Sequence, residues 1–130
     1  PTARLALHAN GTWQQVEDLA TQARLRHRPK RVGGARLVWT PRSGVDLQLD
    51  LQAVSRSFDE QIPVPDRHTV PGRELLGLSA SWQVAESWRL RARIDNLTDE
   101  TYEELIGFPG AGRSFRLGLR YSRTSARTAR

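Results

Sequence analysis

From residue 45 to residue 53 the chain alternates without a break. Val45, Leu47, Leu49, Leu51 and Ala53 hold the odd positions, and Asp46, Gln48, Asp50 and Gln52 the even ones. Successive side chains of a β-strand point to opposite faces, so this period of two specifies a strand with one apolar and one wet side. The pattern returns at Leu76, Leu78, Ala80, Trp82 and Val84, and again at Trp88, Leu90, Ala92 and Ile94, set against Arg89, Arg91, Arg93 and Asp95. It closes with Phe115, Leu117, Leu119 and Tyr121 against Arg116, Arg120 and Ser122, while Leu5, Leu7, Ala9, Gly11, Trp13 and Ala35, Leu37, Trp39 mark two further strands. A face this charged is poor core material. The apolar faces must therefore carry the burial, against a second sheet or against lipid.

The expected strands cover about 4 to 16, 34 to 40, 45 to 56, 73 to 84, 88 to 96 and 113 to 122. Most approach the roughly 9 to 11 residues that a tilted strand needs to cross a bilayer. Their connections alternate in length: 41 to 45 and 85 to 87 are tight turns, whereas 17 to 33, 57 to 72 and 97 to 112 are long and polar. Short turns at one rim and long loops at the other is the layout of an outer-membrane barrel. The fold class expected is thus all-β, an antiparallel up-and-down meander of about six strands from a transmembrane β-barrel. Six strands leave two open edges, which lipid does not tolerate, and the chain begins at Pro1 with no methionine, so it reads as a piece of a larger protein. No apolar run of eighteen residues exists, which excludes membrane helices and leaves barrels untouched.

Parity fixes pairing across the tight turns, because facing residues must share a side. Thr40 opposite Asp46 brings Arg36 opposite Asp50, and Val84 opposite Trp88 brings Trp82 beside Leu90. Trp39, Trp82, Trp88 and Tyr121 fall at the short-turn ends of their strands, and Trp13, Phe58 and Phe115 near the long loops. Two aromatic belts with aliphatics between match the interfacial girdles of membrane barrels. A soluble sandwich or lipocalin-like barrel would alternate equally well, but would more naturally bury its tryptophans in mid-strand.

The net charge of +6 comes from nineteen arginines and one lysine, much of it spread over alternate strand positions. Arg36, Asp50, Arg89, Arg91, Arg93, Arg116 and Arg120 share the wet face, which in a barrel lines the lumen. The cluster Arg24, Arg26, Arg28, Lys30, Arg31 lies between strands; it suits a solvated loop or lipopolysaccharide phosphates. Nucleic acid would call for interleaved aromatics, and none is near. No cysteine is present, His8, His27 and His68 are far apart, and no catalytic, cofactor or metal constellation emerges. The acidic run Asp95, Asp99, Glu100, Glu103, Glu104 fits no cation-binding loop, and Gly107, Gly110, Gly112 read as loop flexibility.

Residues 92 to 121 contain Asn96-Leu97-x-Asp99-x-x-Tyr102, and then Gly112-Arg113-x-Phe115 leading through Gly118 to Tyr121. This resembles the closing hairpin of TonB-dependent outer-membrane receptors, and the wording around Tyr102 and Gly107-Phe108 is most similar to the cobalamin branch. Arg28-Pro29-Lys30 resembles a segment preceding a descending strand in the same family. The resemblance implies a non-enzymatic receptor taking up cobalamin or ferric siderophore-type ligands in the Gram-negative outer membrane. It also implies contact with lipid, a plug, the remaining strands and, through the missing N-terminal part, TonB. Residues 1 to 122 would be barrel. Residues 123 to 130 read as a basic, disordered tail standing where such receptors end on an aromatic. The alternative is a soluble basic β-sheet protein that binds an anionic polymer.

Overall fold

The computed structural model describes residues 4–15, 28–41, 44–59 and 68–123. Arg24, Arg26 and His27 of the basic loop and the tail beyond Arg123 lie outside the described residues. Ten strands follow in order: β1 (Arg4–Trp13), β2 (Arg31–Thr40), β3 (Val45–Val54), β4 (Ser57–Phe58), β5 (Thr69–Val70), β6 (Arg73–Ala85), β7 (Trp88–Asp95), β8 (Glu103–Leu105), β9 (Phe108–Pro109) and β10 (Ser114–Tyr121). The six long ones form a single antiparallel sheet in the order β1-β2-β3-β6-β7-β10, each paired with the next long strand along the chain. The up-and-down meander expected from the alternation is therefore the observed topology. The two-stranded ribbons β4-β5 and β8-β9 rise from the long connections.

Register keeps parity throughout. One ladder row runs Leu7, Leu37, Leu49, Leu78, Ile94, Phe115, and the next runs Leu5, Trp39, Leu47, Ala80, Ala92, Leu117. Six strands thus share one continuous apolar face. Arg36 stands opposite Asp50 and Trp82 opposite Leu90, as the tight turns require. The first turn is closed by Gly44, whose φ of 87° suits a residue without Cβ and whose carbonyl accepts from Gln83 N at 2.6 Å.

The structure corrects the second turn. Ala85, not Val84, faces Trp88, and a bulge between Gln83 and Ala85 takes up the extra residue. Gln83 supports it, its Nε2 donating to the carbonyls of Ala85 at 2.8 Å and Glu86 at 3.2 Å. β2 also begins earlier than expected, at Arg31, because Gly33 and Gly34 hide the alternation there.

No layer covers the apolar face among the described residues. Leu7 is 70% exposed and Leu117 76%, and among the described residues the only buried apolar side chains are Val70 and Ile106, in β5 and beside β8. Those two belong to a small cluster at the long-loop end, where Asp59, fully buried, accepts from Ile106 N at 3.3 Å and so ties two long loops together.

Candidate functional site: the charged face and the closing hairpin

The wet face carries its charges as a connected chain. Arg36 Nε lies 2.7 Å from Asp50 Oδ1, Asp50 Oδ2 lies 3.7 Å from Arg93 Nη1, and Arg93 Nε lies 2.7 Å from Asp95 Oδ1. Asp95 then pairs with Arg116. Two carboxylates thereby bridge three guanidiniums across β2, β3, β7 and β10. The intervening strand β6 offers Gly77 at the crossing, where a Cβ would lie 3.7 Å from Arg93 Nη2 and 3.8 Å from Asp50 Cβ. A longer side chain there would stand in the path of Arg93. Asp50 also accepts from Gln48 Nε2 at 2.7 Å.

Alternation alone put these residues on one face; what it missed is the bridging role of Asp95. Arg93 and Arg116 stand directly opposite one another, and like charges so placed are unfavourable unless a counter-charge intervenes. Arg89, Arg91 and Arg120 lie on the same face, with Arg89 Nε donating to Gln83 Oε1 at 2.8 Å and, among the described residues, no carboxylate joined to them.

The closing hairpin is a knot of side chain to backbone bonds. Asn96, with φ of 51° and buried, accepts at Oδ1 from Glu100 N at 2.8 Å and donates through Nδ2 to the carbonyls of Glu100 at 2.9 Å and Ala111 at 3.2 Å. Asp99, with φ of 57°, accepts at Oδ1 from Arg113 N at 2.9 Å, and its Oδ2 lies 3.5 Å from Arg113 Nη2. Asn and Asp tolerate the left-handed region because a short polar side chain can bond locally, which explains both residue types. Leu97 N donates to Leu76 O at 2.7 Å, fastening the knot to the end of β6.

Tyr102 completes the knot. Its ring centre is 5.1 Å from the Arg73 guanidinium carbon, within cation–π range, and an ideal Cβ on Gly110 would fall 2.0 Å from its Cε2. Gly110 is therefore a close-approach site, which corrects its reading as loop flexibility; Gly107, with φ of 81° in the β8-β9 turn, does use the freedom of glycine. The acidic run is dispersed: Asp95 holds arginines, Asp99 caps Arg113, and the Glu100 carboxylate accepts from Glu74 N at 3.3 Å. No group of three or more metal-ligating side chains occurs among the described residues.

Trp39, Trp82, Trp88 and Tyr121 occupy the short-turn end of the apolar face, with the Trp88 and Tyr121 ring centroids 4.9 Å apart. They do not share a ladder row. The row of Trp39 meets β10 at Leu117, and Tyr121 lies four positions further on. At the other end Trp13 lies six positions beyond Leu7, whose row contains Phe115. Both belts cross the ladder obliquely. Phe58 stands apart from them, in the β4 ribbon.

Comparison with known proteins decides the architecture. The structure matches the ferric enterobactin receptor PfeA of Pseudomonas aeruginosa with a TM-score of 0.76 at 17% identity, over 90% of this chain and 20% of that one. The fold is that of a TonB-dependent receptor barrel. The siderophore receptor PirA of Acinetobacter baumannii matches at 0.75 and 14% identity over 90% of this chain and 20% of its own, and the ferric-catecholate import receptor Fiu of E. coli at 0.74 and 13% over 90% and 18%. In sequence, 53 residues are 40% identical to the vitamin B12 transporter BtuB of Vibrio cholerae, which is 41% of this chain and 9% of that transporter. No protein-family model matches the chain. The chain thus spans about a fifth of the length of the solved TonB-dependent receptors. These relatives are transport receptors of the Gram-negative outer membrane and not enzymes.

Proposed function

We propose that residues 1 to 122 form a six-strand segment of an outer-membrane TonB-dependent receptor, closing its barrel and serving energised uptake of cobalamin or a ferric siderophore-type ligand. The apolar face touches acyl chains and the wet face lines the lumen. Arg36, Asp50, Arg89, Arg91, Arg93, Arg116 and Arg120 then position lumen contents by hydrogen bonds and ion pairs, and no bond-breaking chemistry is asked of them. A plug and the TonB contact belong to the rest of the receptor, and Arg28, Lys30 and Arg31 at the long-loop rim face lipopolysaccharide phosphates.

The observation that carries this reading is the slope of the aromatic belts on an uncovered apolar face. Four residues at a rise of about 3.3 Å, over four strand spacings of about 4.8 Å, give an angle of about 35°. Six residues over five spacings, from Trp13 to Phe115, give about 40°. Barrel strands tilt by 35 to 45° from the barrel axis, so both belts run level with a membrane plane when the strands stand as they do in a barrel. A soluble anion-binding sheet would have no reason to draw its aromatics along two such parallel lines.

The test is expression of the full reading frame that encodes this chain in a Gram-negative host lacking its own receptors. A heat-modifiable band in the outer-membrane fraction, together with TonB-dependent accumulation of labelled cyanocobalamin or ferric enterobactin, is the expected result. Recovery of the protein in the soluble fraction, retained on heparin, would replace this reading with the anionic-polymer alternative.

A further inference from the structure

The largest fully buried side chains among the described residues, Ile106, Val70 and Asp59, all lie in the long connections and none in the six-stranded sheet. Val70 belongs to the β4-β5 ribbon, where it faces Ser57, and Ile106 to the turn between β8 and β9. A two-stranded ribbon is marginal at best in water by itself, so strands of two or three residues need an outside contact to hold their shape. Each ribbon finds it in the other. β5 packs against β8, and Asp59 closes the contact: its N donates to His68 O at 3.0 Å within the first connection, while its carboxylate accepts from Ile106 N at 3.3 Å in the second. Two more links join the same connections at their roots. The Arg73 guanidinium carbon lies 5.1 Å from the Tyr102 ring centre, and Glu74 N donates to the Glu100 carboxylate at 3.3 Å. These roots are seated on the sheet, since an ideal Cβ on Gly72 would come within 2.8 Å of Val54 O and Leu97 N donates to Leu76 O at 2.7 Å.

We propose that the β4-β5 and β8-β9 ribbons form one cap with a shared core, which opens and closes as a unit while the sheet beneath it stays paired. Lifting either ribbon alone would break the bond from Ile106 N to Asp59 and expose Val70 and Ile106 together, so the half-open arrangement loses nearly everything that the fully open one loses. It gains only part of the freedom. The pair therefore behaves as a single two-state element, and whatever engages one ribbon biases the position of the other. The sheet takes no part in this, because its own side chains contribute nothing to the buried cluster. The coupling lies in contacts within the chain and does not depend on which ligand is carried.

Amide hydrogen exchange of the purified full-length protein is the test. At alkaline pH, where exchange is limited by opening, the amides of residues 57–59, 68–70 and 103–109 are expected to share one opening rate, faster than that of β3 and β6. This measurement needs no substitution. At neutral pH, Val70→Ala should speed exchange in 103–109, and Ile106→Ala that in 57–59 and 68–70, by at least about fivefold in each case, with 47–51 of β3 unchanged. Phe108→Ala, at an exposed position of the second ribbon, should leave the first connection as it was. Heat-modifiable migration reports separately whether each variant has assembled its barrel. Two different opening rates in the unaltered protein would overturn the proposal. So would a rise confined to the substituted ribbon, or one that spreads through β3 in an assembled variant.

Discussion

Two residues of β3 separate the two faces most sharply. Leu49 lies in the middle apolar row between Leu37 and Leu78, and Gln52, three positions on, points to the wet side opposite Gly34 and Leu75. Leu49→Arg is expected to cost about 2 to 4 kcal/mol if its row meets the bilayer midplane, whereas Gln52→Arg should shift stability by less than about 0.5 kcal/mol. Urea titration of the protein refolded in phospholipid vesicles measures both, and equal effects would remove the lipid assignment. Gly110 gives the matching argument for the hairpin. With Tyr102 Cε2 only 2.0 Å from where its Cβ would stand, Gly110→Ala must push the ring off Arg73, at a cost of about 1 to 3 kcal/mol. Because that cost is the displacement of one ring, Gly110→Ala in a Tyr102→Ala background should cost almost nothing more. A double-mutant cycle in the same titration decides whether glycine is there for the tyrosine or for the turn.

At the level of strands, the bulge in β6 is a surplus residue with a definite consequence. Deleting Val84 would set Ala85 in the position where the ladder of Trp82 with Leu90 continues regularly to Trp88, so every side chain keeps its face. Deleting Leu78 would send one half of β6 to the wrong side. The Val84 deletion is expected to assemble with a loss below about 1 kcal/mol, and the Leu78 deletion not to assemble, as read from heat-modifiable migration. This contrast also shows what the amino-acid order could and could not disclose. Six strands and the Arg36–Asp50 pairing were legible because parity acts over eight or more residues and the turn 41 to 45 is too short to alter it. The bulge was not, since an inserted Val is invisible among Gln83, Ala85 and Glu86. Strands of two or three residues such as β4, β5, β8 and β9 contain no measurable alternation. The knot around Asn96 was recognisable as a motif and opaque as a mechanism: its bonds join Ala111 and Arg113 to residues 96 and 99, and they depend on two left-handed backbone positions. Likewise Asp59 and Ile106 are tied across 47 positions, with no periodicity to announce it.

For the molecule as a whole, the open edges of β1 and β10 and the bare apolar face are two aspects of one demand. Among the described residues each edge strand pairs on one side alone, and lipid accepts neither unpaired backbone groups nor a sheet that stops. In the proposed receptor, further strands would answer the first requirement and the bilayer the second. The receptors that share this fold are about five times longer than the part matched here, which leaves ample chain to complete the cylinder. If the two aromatic belts are interfacial, the strands must lean by the angle that those belts subtend on the ladder, about 35 to 40°. Polarised infrared spectroscopy of oriented bilayers containing the complete receptor should therefore give a mean strand tilt in that range. Depth must agree with tilt. Trp13 and Trp39 lie at opposite ends of neighbouring strands on the same face, so a brominated lipid added to one leaflet alone should quench one of the two far more than the other, each observed as the single tryptophan of its variant. Upright strands, or both tryptophans quenched from the same leaflet, would mean that the belts do not mark the membrane surfaces.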